Sequence, residues 1–311
     1  MHNTICFFID KTFYLFECGK FDYLRTYLPD ELGETGTLNF DENKDLIQYC
    51  PEKDSGENKC NNNLDKITAG FLWLLEQCYS TLTSKDYIEN NTNAFFLYII
   101  SWFSYKLKQI KGGEFTTINE LYNKNVKDSG KYTKFIREAY TIGELKGFMD
   151  KRNDLLNINI EDLSKFYDAF KLICSMHGNV STNTIGDTLS DNANSFIDTY
   201  IELNNNHNVE GIARNKILPV LSTDYDNLKN ACTKKGANCK DLSFLPEITT
   251  KFSAQISGDT SDSSIGNRLF TVLSIFGAIA FFLGISYKVN NKELKKNYYI
   301  YANINKQPYV S

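Results

Sequence analysis

The sequence predicts an all-α fold: a helical ectodomain followed by one C-terminal transmembrane helix. Apolar residues recur three or four positions apart through much of the 311-residue chain, and no segment shows sustained alternation with a period of two. A third observation concerns residues 269–287, which contain no charged side chain. Because 42% of the residues are hydrophobic, the chain can bury a substantial core, and we do not expect a disordered protein.

The first predicted helix is amphipathic, and the second is apolar nearly all round and is expected at the centre of the ectodomain. Asn63 is available as the N-cap of the first helix. Its apolar positions are Leu64, Ile67, Phe71, Leu74, Leu75, Cys78 and Leu82. The second helix contains the charge-free run "AFFLYIISWFSY", Ala94 to Tyr105, which is too short to cross a bilayer and is therefore expected in a protein core.

Three further helices follow in the second half of the ectodomain. Asn159 is the expected cap of one of them, with Glu161 and Asp162 in its first turn and Gly178 as its stop. Its apolar stripe consists of Leu163, Phe166, Phe170 and Ile173. The segments "SDNANSFIDTYIEL" and "STDYDNLKNAC" predict two more helices, capped at or near Ser190 and Thr223.

The charge-free segment Leu269 to Tyr287 is long enough to cross a membrane. Nineteen residues of helix span about 28 Å, close to the ~30 Å hydrocarbon core of a bilayer. A Ser-, Thr-, Gly- and Asp-rich stretch precedes it, as expected of a flexible stalk. The basic residues flanking the span are Arg268, Lys288, Lys292, Lys295 and Lys296. Their excess on the C-terminal side places the C-terminus in the cytoplasm.

These features divide the chain into five predicted regions. They are an atypical N-terminal segment (1–17), a helical Cys-containing ectodomain (18–248), a stalk (249–266), the transmembrane helix with its flanks (267–288) and a short basic cytoplasmic tail (289–311). Residues 288–311 carry a net charge of +4, and the preceding residues carry −8.

The N-terminus leaves a second topology open. Asp10 and Lys11 interrupt its short apolar run, so it is not a convincing signal peptide. Export would then depend on the late span acting as an internal signal. In the alternative topology, the chain is a tail-anchored protein whose large domain lies in the cytosol.

All eight cysteines precede the predicted span, which favours disulfides in a non-cytosolic domain. The candidate disulfide cysteines are Cys18, Cys50, Cys60, Cys232 and Cys239. Cys50 with Cys60, and Cys232 with Cys239, lie in loop-like sequence and are the favoured pairs. Cys78 and Cys174 lie on apolar helix faces, where a buried thiol and a disulfide both remain open. A zinc site is not favoured, because the chain has no C-x-x-C pair and only three histidines.

The sequence contains no convincing catalytic constellation, and it implies no metal or cofactor. Cys174 and His177 are three residues apart on a predicted helix, but Cys174 lies on the inward stripe, which favours a core cysteine over a thiolate–imidazole pair. Acidic pairs such as Glu161 and Asp162 are explained by helix starts. The absence of a basic excess disfavours nucleic acid as a partner. We therefore expect a non-enzymatic protein.

Several ordered blocks resemble the Plasmodium interspersed repeat (PIR) multigene family, in its rodent-malaria form. They are "CGKFDYLRTYLPDEL", "YCP", "CNNNLDKITAGFLWLLEQCY", "LYIISWFSYKL", "LLNINIEDLSKFYDAFKLIC", "LPVLSTDYDNLKNAC" and "VLSIFGAIAFFLGISYK". The resemblance covers roughly residues 18 to 288. It implies a single C-terminal span and no catalytic residues, cofactor or established ligand site.

Membership would imply a single-pass variant surface antigen involved in immune evasion and host-cell interaction. The expected partners are the lipid bilayer and a host-cell receptor or host immune molecules of unknown identity. The expected location is the infected red-cell surface or the parasite or vacuolar membrane. The alternative function, from a different class, is a tail-anchored intracellular scaffold at the parasite or vacuolar membrane.

Two segments depart from the family pattern. "FFIDKTFYLFE", Phe7 to Glu17, precedes the Cys-Gly-Lys-Phe block, where family members have only a very short leader. We interpret this segment as a retained intron or gene-model artefact, and transcripts that read through it unspliced would contradict that. The residues after Lys288 replace the family's long basic tail, which puts tail-dependent partners in doubt.

Overall fold

The computed structural model describes residues 17–82, 89–110, 115–182, 184, 186–206, 208–209, 211–234, 242 and 245. The chain divides into two compact units, Met1–Lys251 and Phe252–Ser311, and every described residue belongs to the first. The predicted stalk, membrane span and tail therefore lie outside the described residues, as does most of the N-terminal segment. The five-region division stays a prediction.

The described part of the chain is helical, which confirms the all-α class there. In chain order the helices are α1 (17–27), α2 (Lys44–Ile47), α3 (Asn63–Leu82), α4 (Glu89–Lys108), α5 (Ile118–Leu121), α6 (Thr133–Phe135), α7 (Leu145–Asp150), α8 (Asn153–Leu156), α9 (Ile160–Ser164), α10 (Tyr167–Thr182), α11 (Asp187–Asn205) and α12 (Gly211–Lys234). Phe40–Glu42 form a 3₁₀ turn, and Tyr122–Lys127 and Ile136–Ile142 form π-helical turns. Within the described ranges, β-pairing is limited to two isolated bridges.

Helices α3 and α4 form the centre of the core, and the central position of α4 agrees with the prediction from its apolar residues. The rings of Phe71 and Phe103 stack with centroids 4.0 Å apart. A Cβ atom on Gly70 would lie 3.0 Å from the Trp102 ring, so glycine allows the two helices to approach closely here. The cap of α3 is Asn62 rather than Asn63, because Asn62 Oδ1 accepts a hydrogen bond of 2.9 Å from the Asp65 amide.

Helix α4 extends the predicted charge-free run at both ends and packs against α3, α9 and α10. Phe95, Ile99 and Phe103 are fully buried within the protein. In the described ranges, no helix has both the length and the apolarity that a bilayer crossing requires.

The helix predicted from Asn159 is two helices. Asn159 does cap the first, α9, by accepting a hydrogen bond of 2.7 Å from the Glu161 amide. The second, α10, continues past Gly178 to Thr182, so the predicted stop is wrong. Val180 is buried in this last turn, and its burial outweighs the cost of a glycine inside a helix, which is about 1 kcal/mol.

Helices α11 and α12 both begin earlier than predicted. Helix α11 starts at Asp187 rather than near Ser190. Thr223 lies in the middle of α12, and its hydroxyl donates to the carbonyl of Pro219 (2.9 Å). The helix continues through this proline, which faces solvent, because a stripe of apolar residues on its other side is buried. Its members are Ile217, Leu218, Leu221, Tyr225 and Leu228. Helices α10, α11 and α12 pack against one another as a second helical group.

A strained, exposed tip separates the second π-helical turn from α7. A Cβ atom on Gly143 would lie 2.6 Å from the Ala139 carbonyl oxygen, so a larger residue would force the backbone to move. Glu144 adopts a left-handed conformation, with φ of 61°. Ile142 is 72% exposed. This tip presents an isolated apolar side chain to solvent.

Candidate functional site

Two disulfides hold the described part of the chain together. Cys50 and Cys60, one of the favoured pairs, are joined with Cα atoms 5.0 Å apart. They close a short hairpin in which the Lys53 amide donates to the Glu57 carbonyl. Cys18 and Cys174 are joined across 156 residues and link α1 to α10. The sequence left Cys174 open between a thiol and a disulfide, and it did not pair Cys174 with Cys18.

The other cysteines differ in state and surroundings. Cys232 is also disulfide-bonded. Cys6 and Cys239 lie outside the described residues, so the pair Cys232–Cys239 stays a prediction. Cys78 is a fully buried thiol, and burial raises its pKa well above the usual value, with the nearby Glu17 side chain adding to the shift. A thiol with a raised pKa is a poor nucleophile.

The arrangement of Cys174 and His177 does not form a catalytic pair. The Cys174 sulfur is bonded to Cys18 and supplies no thiolate. His177 is buried, and burial lowers its pKa to about 4. The imidazole is therefore neutral at physiological pH and lies in the core. Within the described residues, no group of three or more His, Cys, Asp or Glu side chains is placed to hold a metal ion.

A half-buried polar cluster connects α1, α4 and α10. Arg25 donates to Asp22 (2.6 Å), to the hydroxyl oxygen of Tyr98 (3.0 Å) and to that of Tyr167 (3.2 Å). Tyr167 in turn donates to Asp30. Burial alone would raise the pKa of Asp30, but Arg25, Tyr167 and neighbouring lysines outweigh burial, so the pKa lies below its usual value. Asp30 is thus held as a carboxylate.

Lys106 anchors the backbone that follows α1. Its side chain is fully buried, and its ammonium group donates to the carbonyls of Pro29 and Asp30. Burial lowers its pKa to about 8, even though Asp30 and Glu31 favour the charged form. Gln109 adds a hydrogen bond of 2.9 Å to the Asp30 carbonyl. The loop is therefore fixed by α4 through side chain to backbone contacts.

Local patterns did not identify this polar cluster, although one signal was present. Lys106 occupies the same helical stripe as Ile99, Trp102 and Phe103, so the 3.6-residue period predicts that it faces the core. A lysine on such a stripe requires partners, because a buried charge without them is costly.

A surface pocket of about 290 Å³ lies beside the end of α4 and the start of α9. Its lining consists of Leu64, Leu107, Lys108, Ile110, Phe115, Thr116, Asn159, Ile160 and Glu161. Lys108 and Glu161 form an ion pair of 2.6 Å between half-exposed side chains at this pocket. The pocket combines an apolar lining with a neutralised pair of charges, and none of its side chains is an activated nucleophile.

The structure says nothing about the residues predicted to flank the membrane span. Arg268, Lys288, Lys292, Lys295 and Lys296 all lie outside the described residues. Their placement at the bilayer surface stays a prediction.

Some large apolar side chains of the described residues are exposed and available for contact with a partner. Examples are Leu38, which is 49% exposed, and Ile142.

Comparisons with known proteins extend over most of the chain. The family model described as Plasmodium variant antigen protein Cir/Yir/Bir matches residues 18–288. A solved structure described as a Plasmodium PIR protein ectodomain has 29% sequence identity and a TM-score of 0.57. The similarity covers 77% of this chain and 98% of that chain. No curated protein matches the sequence.

Proposed function

The chain belongs to the Plasmodium variant antigen family Cir/Yir/Bir, and we propose that it is a non-enzymatic surface antigen anchored by one C-terminal membrane span. In this proposal, the helical domain faces the host and the basic tail lies in the cytoplasm. Its role is immune evasion and contact with host cells. The bilayer and host receptors or immune molecules are its partners.

The observation that carries the proposal is the pair of disulfides in the helical domain. Cys18–Cys174 and Cys50–Cys60 are expected to persist only in an oxidising environment, because cytosolic thiols are kept reduced. The solved relative is described as an ectodomain. This description supports an extracytoplasmic location for the corresponding residues of this chain.

The membrane anchor is supported by sequence alone. The stretch from Leu269 to Tyr287 matches the thickness of a bilayer and is followed by a lysine cluster. The family match ends at residue 288, at the far flank of this stretch.

The host-facing role is supported by the division between core and surface. Helices α3 and α4 supply a tightly packed interior, whereas the disulfide-closed hairpin and the Ile142 tip face solvent. Surface segments tolerate sequence change that a packed core does not, which suits an antigen whose exposed parts vary.

Protease treatment of intact infected cells tests the topology. We expect loss of the helical domain, with a small fragment containing the span and tail detected by an antibody against residues 289–311. Complete protection of the full chain would contradict surface exposure and favour the intracellular, tail-anchored scaffold. Permeabilised cells provide the control that the protease can cleave the domain.

Extraction with alkaline carbonate tests the anchor itself. The wild-type chain is expected in the membrane pellet. A variant with Phe276→Asp and Ile279→Asp is expected in the supernatant, because each central aspartate costs about 3 kcal/mol of insertion free energy. The matched control, Phe276→Leu with Ile279→Leu, is expected to pellet. Release of the wild-type chain would contradict the anchor.

A further inference from the structure

A small pocket lies where α1, α4, α10 and α12 meet. Its volume is about 10 Å³. The residues around it are Glu17, Cys18, Ala94, Tyr98, Phe170, Ile173, Cys174 and Asp224. The Cys18–Cys174 disulfide therefore forms part of its wall. Two carboxyl side chains, from α1 and α12, line an otherwise largely apolar space.

The two carboxyl groups are buried together. Glu17 and Asp224 are each only 4% exposed. Glu17 Oε1 has no hydrogen-bond partner among the described residues. A buried carboxylate oxygen without a partner carries a desolvation cost of several kcal/mol. Either a proton or a bound polar group at this oxygen would remove most of that cost.

The size and lining of the pocket restrict what it can hold. A volume of about 10 Å³ is the space that a single water molecule needs. Calcium requires six to eight oxygen ligands, and magnesium about six, whereas two carboxyl side chains among apolar residues supply at most four. A neutral ligand that both donates and accepts hydrogen bonds matches the site better.

We propose that this pocket is a binding site for one water molecule, which links the carboxyl group of Glu17, in its neutral acid form, to Asp224. The Glu17 hydroxyl donates to the water oxygen, and the water donates to the carboxylate of Asp224. The site couples the first helix of the described chain to the last long one. It requires that Glu17, the last residue of the segment Phe7 to Glu17, is present in the translated chain. No step of catalysis is involved.

The electrostatic surroundings support the neutral form of Glu17. Burial, and secondly the nearby Asp224, raise the pKa of Glu17 well above its usual value. The titratable or sulfur-bearing groups that face it are Cys18 on α1, Cys78 on α3, Tyr98 on α4, Cys174 on α10 and Asp224 on α12. Among these groups no cation is present to favour the charged form.

A raised pKa predicts how stability changes with pH. Above about pH 4.3 the unfolded chain loses the Glu17 proton while the folded chain keeps it. This group therefore lowers stability progressively as pH rises towards its folded-state pKa. Glu17→Gln mimics the neutral acid and removes the dependence.

Thermal unfolding of the full chain in detergent tests this. At pH 8 the Tm of Glu17→Gln is expected to exceed that of wild type by about 2 °C or more, and at pH 4 the two should coincide. Glu57→Gln, an exposed glutamate on the disulfide-closed hairpin, is the matched control and should show no such pH dependence. A Tm difference for Glu17→Gln that is the same at both pH values would overturn the neutral-acid assignment.

Two further measurements do not depend on the stability of the variant. The infrared spectrum of wild type at pH 7 should contain a protonated-carboxyl stretch that disappears in Glu17→Gln and persists in Asp224→Asn. Its loss in Glu17→Gln supports the assignment, and its persistence there overturns it. A high-resolution crystal structure should show one water in contact with Glu17 Oε1, and an empty pocket would overturn the site.

Discussion

At the scale of single residues, buried polar side chains determine how the N-terminal part of the domain is held. Arg25, Asp30 and Lys106 connect α1 and the loop after it to α4 and α10. Such groups are costly to bury alone and are tolerated because each has partners. Truncating one partner should therefore lower the free energy of unfolding more than removing a comparable surface charge does.

Lys106→Met tests this comparison. The variant removes the Lys106 donor from the Pro29 and Asp30 carbonyls, and only Asp30 keeps the hydrogen bond from Gln109, so the free energy of unfolding should fall by about 1–3 kcal/mol. Lys108→Met is the matched control on the same helix, since Lys108 forms only a half-exposed ion pair, and its cost should be at most about 1 kcal/mol. Urea denaturation measures both. Equal costs would contradict the role given to Lys106.

His177 predicts an acid-sensitive component of stability. Its pKa is lowered by burial to about 4, whereas in the unfolded chain it is about 6.5. Between these values only the unfolded chain binds the proton, so stability is fully present above about pH 6.5 and falls by about 3 kcal/mol on acidification to pH 4. His177→Gln should lack this component. Denaturation curves at pH 4.5, 5.5 and 7 compare the two, and parallel pH profiles would contradict the prediction.

At the scale of elements, the disulfides differ in the length of chain that they close. Cys18 and Cys174 are separated by 156 residues, and Cys50 and Cys60 by 10. A longer closed loop restricts the unfolded chain more strongly in the chain-entropy description.

Replacing each cysteine pair by alanine should reveal this difference. The expected loss of unfolding free energy is about 5 kcal/mol for Cys18→Ala with Cys174→Ala, and about 3 kcal/mol for Cys50→Ala with Cys60→Ala. The larger loss is comparable to the entire stability of many domains. Denaturation of both double variants checks the order. A larger loss for the short loop would contradict it.

Pro219 lies inside α12, where proline is an unfavourable residue. Proline cannot donate to the carbonyl four residues earlier, and it costs up to about 3 kcal/mol inside a helix. Because Pro219 faces solvent, Pro219→Ala should raise the free energy of unfolding by about 1–3 kcal/mol. Thermal and urea denaturation measure the change. A loss of stability would contradict this prediction.

The same elements indicate which parts of the fold local sequence can predict. Asn159 and the two acids after it predict the start of α9 correctly, because capping depends only on neighbouring residues. The predicted stop at Gly178 and the predicted start near Thr223 are wrong, because the burial of apolar residues beyond these positions outweighs the local preferences. The contacts of Arg25 with Tyr98 and Tyr167 cross 73 and 142 residues, so no short pattern contains them.

At the scale of the whole molecule, the resemblance identified from ordered sequence blocks is confirmed by the family match over residues 18–288. The helical class is confirmed over the described residues, and the solved relative has the same fold. The membrane span and the sidedness remain proposals. The proposed span rests on the length of the charge-free segment in the sequence. The proposed sidedness rests on the disulfides of the helical domain.

The central claim is that the helical domain matures outside the cytosol. The most direct measurement is mass spectrometry of the protein isolated from infected cells, after rapid alkylation of free thiols and without reduction. We expect cross-linked peptides joining Cys18 to Cys174 and Cys50 to Cys60, with alkylation at Cys78 only after unfolding. Alkylation of Cys18, Cys50, Cys60 and Cys174 as free thiols in the native protein would contradict the account.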